Sequence, residues 1–235
     1  MALSQELNLL MLGGTSSIGK IIISNLSTSY NIRATHRYQN ALKEFPERTE
    51  WISLDLENEE SIMTFLERTS LIPYDIIINL IGELSGLSHD SSLRSISSYF
   101  QTHISNHSFL IEKLFAIHSK RNFSFINVSS RAVIYGSNDL YYSEAKSAIH
   151  GLTKSLAKRY ENSRCVNLIP GLLKDSNMYS SMSRDVREDH VRRAGGVLMD
   201  VNQFALIIVE LLDKLMSGNV DFDSKVDILI GPQYK

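Results

Sequence analysis

The 235-residue chain is short of cysteine, proline and net charge, and each shortage closes off a class of explanation. Its single cysteine, Cys165, excludes an internal disulfide framework and a CxxC metal site. Within the apolar run RCVNLIPG it reads as a small buried hydrophobe. There are only four prolines and no Pro-rich linker, internal repeat or low-complexity tract, so residues 1–235 read as one domain. The formal charge is −2, which leaves no basic field for nucleic acid or an anionic membrane. No run approaches the roughly 20 apolar residues that span a bilayer. The first apolar run, LNLLML, is too short for the core of a secretion signal. The expectation is a cytoplasmic protein. His103 and His107 share i, i+4 spacing, but the glutamate of HExxH and a third ligand are missing, so no metal is expected.

What the chain does have is alternation. Short apolar runs at 7–12, 32–36, 51–54, 75–80, 123–128, 164–169 and 226–230 read as strands buried on both faces. Helical patterns lie between them. Ile62, Phe65 and Leu66 share one face, and Phe204, Ile208, Leu211 and Leu215 form a later stripe. Strand and helix in turn predict right-handed crossovers and a Rossmann-type α/β fold. Its seven-stranded, doubly wound parallel sheet would carry helices on both faces. The polar stretch 174–196 is the least regular part and reads either as a solvated loop or as a substrate lid.

Between the first strand and the next helix stands Gly13-Gly14-Thr15-Ser16-Ser17-Ile18-Gly19. Gly13 permits a tight bend, and Gly19 allows close helix–strand packing. The free amides at the helix start suit a pyrophosphate, with Thr15, Ser16 and Ser17 adding hydroxyls. The middle glycine of such turns is absent, and Ser16 or Ser17 takes its place. The second strand ends in Ala34-Thr35-His36-Arg37, without the acid that accepts from an NAD ribose. Arg37, with His36 beside it, suits a 2′-phosphate, so NADP(H) is expected over NAD(H).

Further along, FINVSS places Ser129 and Ser130 ahead of YYSEAK, in which Tyr142 and Lys146 are four residues apart. That spacing puts both on one helical face. Phenol, ammonium and hydroxyl together can move a proton on and off a carbonyl oxygen. The ammonium is expected to favour phenolate and lower the phenol's pKa.

These residues resemble the short-chain dehydrogenase/reductase family, over most of the chain and in family order. The resemblance favours its shorter form over the longer nucleotide-sugar epimerases. LGGTSSIG resembles the cofactor turn, and Asp55-Leu56 the pair that contacts adenine. Asn79-Leu80-Ile81-Gly82 resembles the NNAG motif. Ser130, Tyr142 and Lys146 match the catalytic serine and YxxxK, and Pro170-Gly171 the PG beside the nicotinamide. The resemblance implies that Tyr142 is the acid/base, that Ser130 holds the substrate oxygen and that Lys146 also binds the nicotinamide ribose. Family spacing selects Ser129, whereas the motif's second serine is normally the catalytic one, and Ser130 is the expectation. The family's relay asparagine falls on His103, or on Asn106 if the alignment slips, and its role is not carried over. The C-terminus DILIGPQYK lacks the family's glycine pair.

The implied activity is NADPH-dependent reduction of a ketone or aldehyde to an alcohol, or the reverse, on a small molecule. The resemblance also implies a homodimer or homotetramer, with apolar residues such as Phe109, Leu110, Leu114 and Phe115 read either as its contact or as core. Two alternatives stand beside it. One is a 3-oxoacyl-carrier-protein reductase, supported only by Arg184, Arg187, Arg192 and Arg193. The other is a non-catalytic NADP-binding sensor or scaffold.

Overall fold

A computed structural model of the chain describes residues 6–26, 28, 30–39, 48–216 and 225–231. Residues 232–235, where the family's second glycine would stand, lie outside these. Seven parallel strands form one sheet in the order β3-β2-β1-β4-β5-β6-β7. They are β1 Leu7–Leu12, β2 Tyr30–His36, β3 Glu50–Ser53, β4 Ile76–Asn79, β5 Phe123–Val128, β6 Ser163–Pro170 and β7 Lys225–Ile230. The strands expected from apolar runs are all present.

Alternation along each strand feeds two cores. Leu9 and Met11 of β1 pack into one, with Ile32, Ile78, Ile126 and Leu168. Leu10 and Leu12 point the other way, towards Ile52, Ile77, Phe65 and Phe125. The first core is closed by α1 (Ser17–Asn25) and α9 (Val201–Met216), through Ile22, Ile23, Phe204, Ile208 and Leu212. The second is closed by α2 (Glu59–Ser70), α4 (His107–His118) and α6 (Leu140–Arg159). Of the four side chains read as subunit contact or core, Leu110, Leu114 and Phe115 are core, and only Phe109 is exposed. Phe115 stacks edge-on against Phe123 and Phe125 at 5.0 and 5.1 Å between ring centres.

Between α3 (Leu93–Phe100) and α4 the helix widens into a π-helical turn over Gln101–Asn106. Such turns often mark functional sites. The polar stretch after β6 is more regular than expected. It forms α7 (Asn177–Ser181) and α8 (Arg184–Arg193), capped by Ser176 and Ser183. Helix α8 buries no residue and is held by its own charges. Arg184 pairs with Glu188 at 2.7 Å, Arg193 with Asp189 at 2.7 Å, and Arg192 also with Asp189. A short helix, α5 (Ala132–Tyr135), follows β5.

Candidate active site

Strand β1 pairs with β2 on one side and β4 on the other, so chain connections diverge at its C-terminal end and leave a crevice there. The glycine turn occupies it. Gly13 has φ of +79° and lies against Ile81, where a Cβ would come within 3.3 Å of the Ile81 amide. A Cβ on Gly19 would stand 2.3 Å from the Gly14 carbonyl, so helix and turn touch through backbone alone. Thr35 fastens the turn to β2. Its Oγ1 accepts from the Gly13 amide at 2.8 Å and its carbonyl from the Gly14 amide at 3.1 Å.

Ser16 is the N-cap of α1, its Oγ accepting from the Gly19 amide at 3.1 Å. Ser17 Oγ accepts from the Asn177 amide at 3.4 Å, which ties the turn to α7. The Ser17 and Ile18 amides open α1, where a helix has no acceptors of its own. This tight turn of glycine backbone and small hydroxyl side chains, opening onto the first amides of a helix, fits a dinucleotide pyrophosphate.

At the end of β2 the two expected cofactor contacts separate. His36 is buried and meets Trp51 edge-on. Arg37 stays near the surface, paired with Asp55 at 3.3 Å and Glu57 at 2.8 Å. Leu56 is buried, and its carbonyl accepts from Asn106 Nδ2 at 2.7 Å.

Ser130, Tyr142 and Lys146 converge beyond β4 and β5. Ser130 stands beside Tyr142, close enough for its hydroxyl to draw the phenol's pKa down by hydrogen bonding. Ser129 is buried and turned away, its Oγ 3.0 Å from His150 Nδ1. The pair therefore divides as alternation at a strand end requires, with Ser130 on the active side. Arg131 donates its amide to the Pro170 carbonyl at 3.0 Å, which brings Pro170-Gly171 beside Ser130. Lys146 Nζ donates to the carbonyls of Ile81 and Val128, each at 3.0 Å. It reaches them by passing Gly82, where a Cβ would meet Nζ at 2.3 Å. Tyr142, Lys146, Gly82, Tyr99, His103 and His107 are among the residues lining a cleft.

One electrostatic expectation fails. Burial pushes the Tyr142 phenol up to about 12, the Ser130 hydrogen bond pulls it down, and Asp139 adds to the rise. Burial also lowers the Lys146 ammonium to about 8. Burial is the largest influence on the phenol, and Lys146 turns its Nζ towards two backbone carbonyls.

A family model for the short chain dehydrogenases matches residues 8–187. The chain belongs to the short-chain dehydrogenase family. No curated protein matches it by sequence. Solved structures show the same fold. A short chain dehydrogenase family protein from Francisella tularensis superposes with a TM-score of 0.74 at 21% identity, covering 96% of this chain and 97% of that one. A variant of actinorhodin polyketide ketoreductase, solved with NADPH, gives 0.80 at 16% identity over 99% and 98%. A short chain dehydrogenase/reductase from Saccharomyces cerevisiae gives 0.77 at 18% over 95% of both chains.

Several supports of this candidate site were not singled out from sequence. Asp139 caps α6, accepting from the Tyr142 amide at 3.0 Å, and holds Ser85 through its amide at 2.7 Å and its hydroxyl at 2.6 Å. An Asp three residues before the key tyrosine is an N-cap signal, and it could have been read. Asn79, expected at the cofactor, is wholly buried. It donates to Asn127 Oδ1 at 2.8 Å, and its Oδ1 lies 3.1 Å from His107 Nε2. His103 lines the cleft and stacks on Tyr99 at 4.4 Å between ring centres. Asn106 is spent on Leu56 and Gln101. Among the arginines of 174–196, Arg184, Arg192 and Arg193 are paired within α8, and Arg187 lies over Tyr179.

Proposed function

We propose that this member of the family is an NADPH-dependent oxidoreductase that reduces a ketone or aldehyde to an alcohol, or runs the reverse. Tyr142 serves as the acid/base. The observation that carries the reading is the meeting of Tyr142 and Lys146 in one cleft beside the Gly13 turn, with Ser130 next to the Tyr142 phenol. When bound, a nicotinamide dinucleotide supplies the hydride. Gly13, Thr15 and the Ser17 and Ile18 amides would hold its phosphates, Asp55 and Leu56 would border its adenine, and Pro170 and Gly171 would border its nicotinamide.

The chain's own residues handle the proton. Ser130 donates to the substrate oxygen and keeps it beside Tyr142. A phenol held near 12 keeps its proton at neutral pH and gives it up only to a much stronger base, the alkoxide formed on reduction. An ammonium has three donors. Two of Lys146's go to Ile81 and Val128, and the third is left to meet the ribose. With a pKa near 8, Lys146 can exchange protons at working pH and restore the phenol. Segment 174–196 closes over the substrate as a lid, tied at its base by the Lys174–Asp200 bridge. Phe109 and Ile117, both exposed on α4, are the support for self-association.

Tyr142→Phe removes the proton and keeps the ring. Turnover of a ketone and aldehyde panel should fall by roughly 10²–10⁴ while dinucleotide affinity holds; an active variant refutes the assignment. The NADPH preference rests on Arg37, which must leave Asp55 and Glu57 for a 2′-phosphate. Arg37→Ala should abolish the difference in Kd between NADPH and NADH. Equal affinities in the unaltered protein contradict the preference.

A further inference from the structure

Four strand residues stand side by side across the second half of the sheet: Asn79 on β4, Asn127 on β5, Asn167 on β6 and Asp227 on β7. Their side chains form one hydrogen-bonded row. Asn79 Nδ2 donates to Asn127 Oδ1 at 2.8 Å, Asn127 Nδ2 to Asn167 Oδ1 at 2.8 Å, and Asn167 Nδ2 to Asp227 Oδ1 at 3.1 Å. An amide can donate or accept at either end, but an ionised carboxylate only accepts. Asp227, a carboxylate and so ionised at neutral pH, has its other oxygen paired with Lys154 and 3.3 Å from His150 Nε2. Every amide in the row must therefore turn its NH₂ towards β7 and its oxygen towards β4.

The far end of the row is the active site. Asn79 Oδ1 is left facing His107 Nε2 at 3.1 Å and the Ile81 amide at 3.4 Å, and it competes with the His103 backbone for the imidazole proton. The Ile81 and Val128 carbonyls, just beyond Asn79 and Asn127, are the two that hold Lys146. A second branch runs from Asp227 through His150 to Ser129, next to Ser130.

We propose that Asp227 is a positioning residue, fixing the polarity of the amide row so that His107 carries its proton on Nε2 and Ile81 holds its carbonyl at Lys146. The role rests on Lys146 belonging to the reaction centre. Asn79 reversed would set its NH₂ against the Ile81 N–H, and the Ile81 peptide would shift away from Lys146. The row spans roughly 14 Å at ordinary strand spacing, so Asp227 works without touching any reactant.

The test is the ring ¹⁵N spectrum of His107, read beside kcat and KM with NADPH and a ketone. The unaltered protein should show the neutral Nε2–H tautomer. Asp227→Asn lets the row reverse, so the Nδ1–H form or a mixture should appear, and kcat should fall roughly tenfold with KM within about twofold. Asn167→Leu severs the row and should likewise lose the fixed tautomer, which keeps the test open if Asp227→Asn does not fold. Lys154→Met spares the carboxylate acceptor and should leave both readouts unchanged. An Nδ1–H tautomer in the unaltered protein, an unchanged tautomer in both row variants, or a changed tautomer with unchanged kcat overturns the proposal. If no carbonyl compound is turned over at all, the proposed function fails, and the tautomer still decides the row's polarity.

Discussion

The two halves of the sheet end in different materials. Strands β1 to β3 end in a turn that offers backbone: two glycines, a helix start and a buried Thr35 to hold them. Strands β4 to β7 carry a polar floor of Asn79, Asn127, Asn167 and Asp227, which supports a lysine, a tyrosine and a serine. A phosphate needs only amides with nothing in the way, so the first half excludes side chains. Proton transfer needs side chains fixed to within a fraction of an ångström, so the second half accepts buried polar groups and satisfies them through one another.

Acid should break the second half first. Burial holds the His107 imidazole down to about 3, whereas the unfolded chain binds that proton near 6.5. Between those values the unfolded state carries the extra proton, so stability is whole above about pH 6.5 and is lost as pH falls towards 3. The loss from this one group is on the order of 4 kcal/mol. Urea unfolding across that range should show it, and His107→Gln should flatten the slope. His118, also lowered by burial, acts in the same direction and leaves a residual slope.

Gly19→Ala should come next, striking the first half. Its Cβ meets backbone, which cannot swing aside. Calorimetry should record a loss of about 1–3 kcal/mol, together with loss of dinucleotide binding. Gly82→Ala sharpens the contrast, because its Cβ meets only the end of the flexible Lys146 side chain. Stability should change by less than ~1 kcal/mol and cofactor affinity little, while kcat falls about 100-fold as Nζ is displaced.

How far the sequence revealed these halves follows the same division. Backbone features were legible because they follow local pattern. The runs at 7–12 and 123–128 coincide with β1 and β5, and the glycine turn sits where its spacing puts it. Strand β2 begins earlier than the run at 32–36, because exposed Asn31 breaks the apolar pattern while Tyr30 is still buried. Tyr142 and Lys146 were legible from helical spacing. The floor was not, since Asn79, Asn127, Asn167 and Asp227 become neighbours only through strand register. The phenol's pKa was misjudged because burial, invisible in sequence, is the largest influence on it. Helices α7 and α8 were read as irregular because α8 has no apolar stripe; its internal ion pairs take that place.

The central claim is that Tyr142 delivers the proton while hydride arrives from a nicotinamide. Deuterium-labelled NADPH and a ketone, followed by mass spectrometry, test it most directly. The unaltered protein should place one deuterium on the carbinol carbon, and Tyr142→Phe should bind the labelled cofactor yet transfer almost none. Transfer by the variant at an undiminished rate would contradict the account.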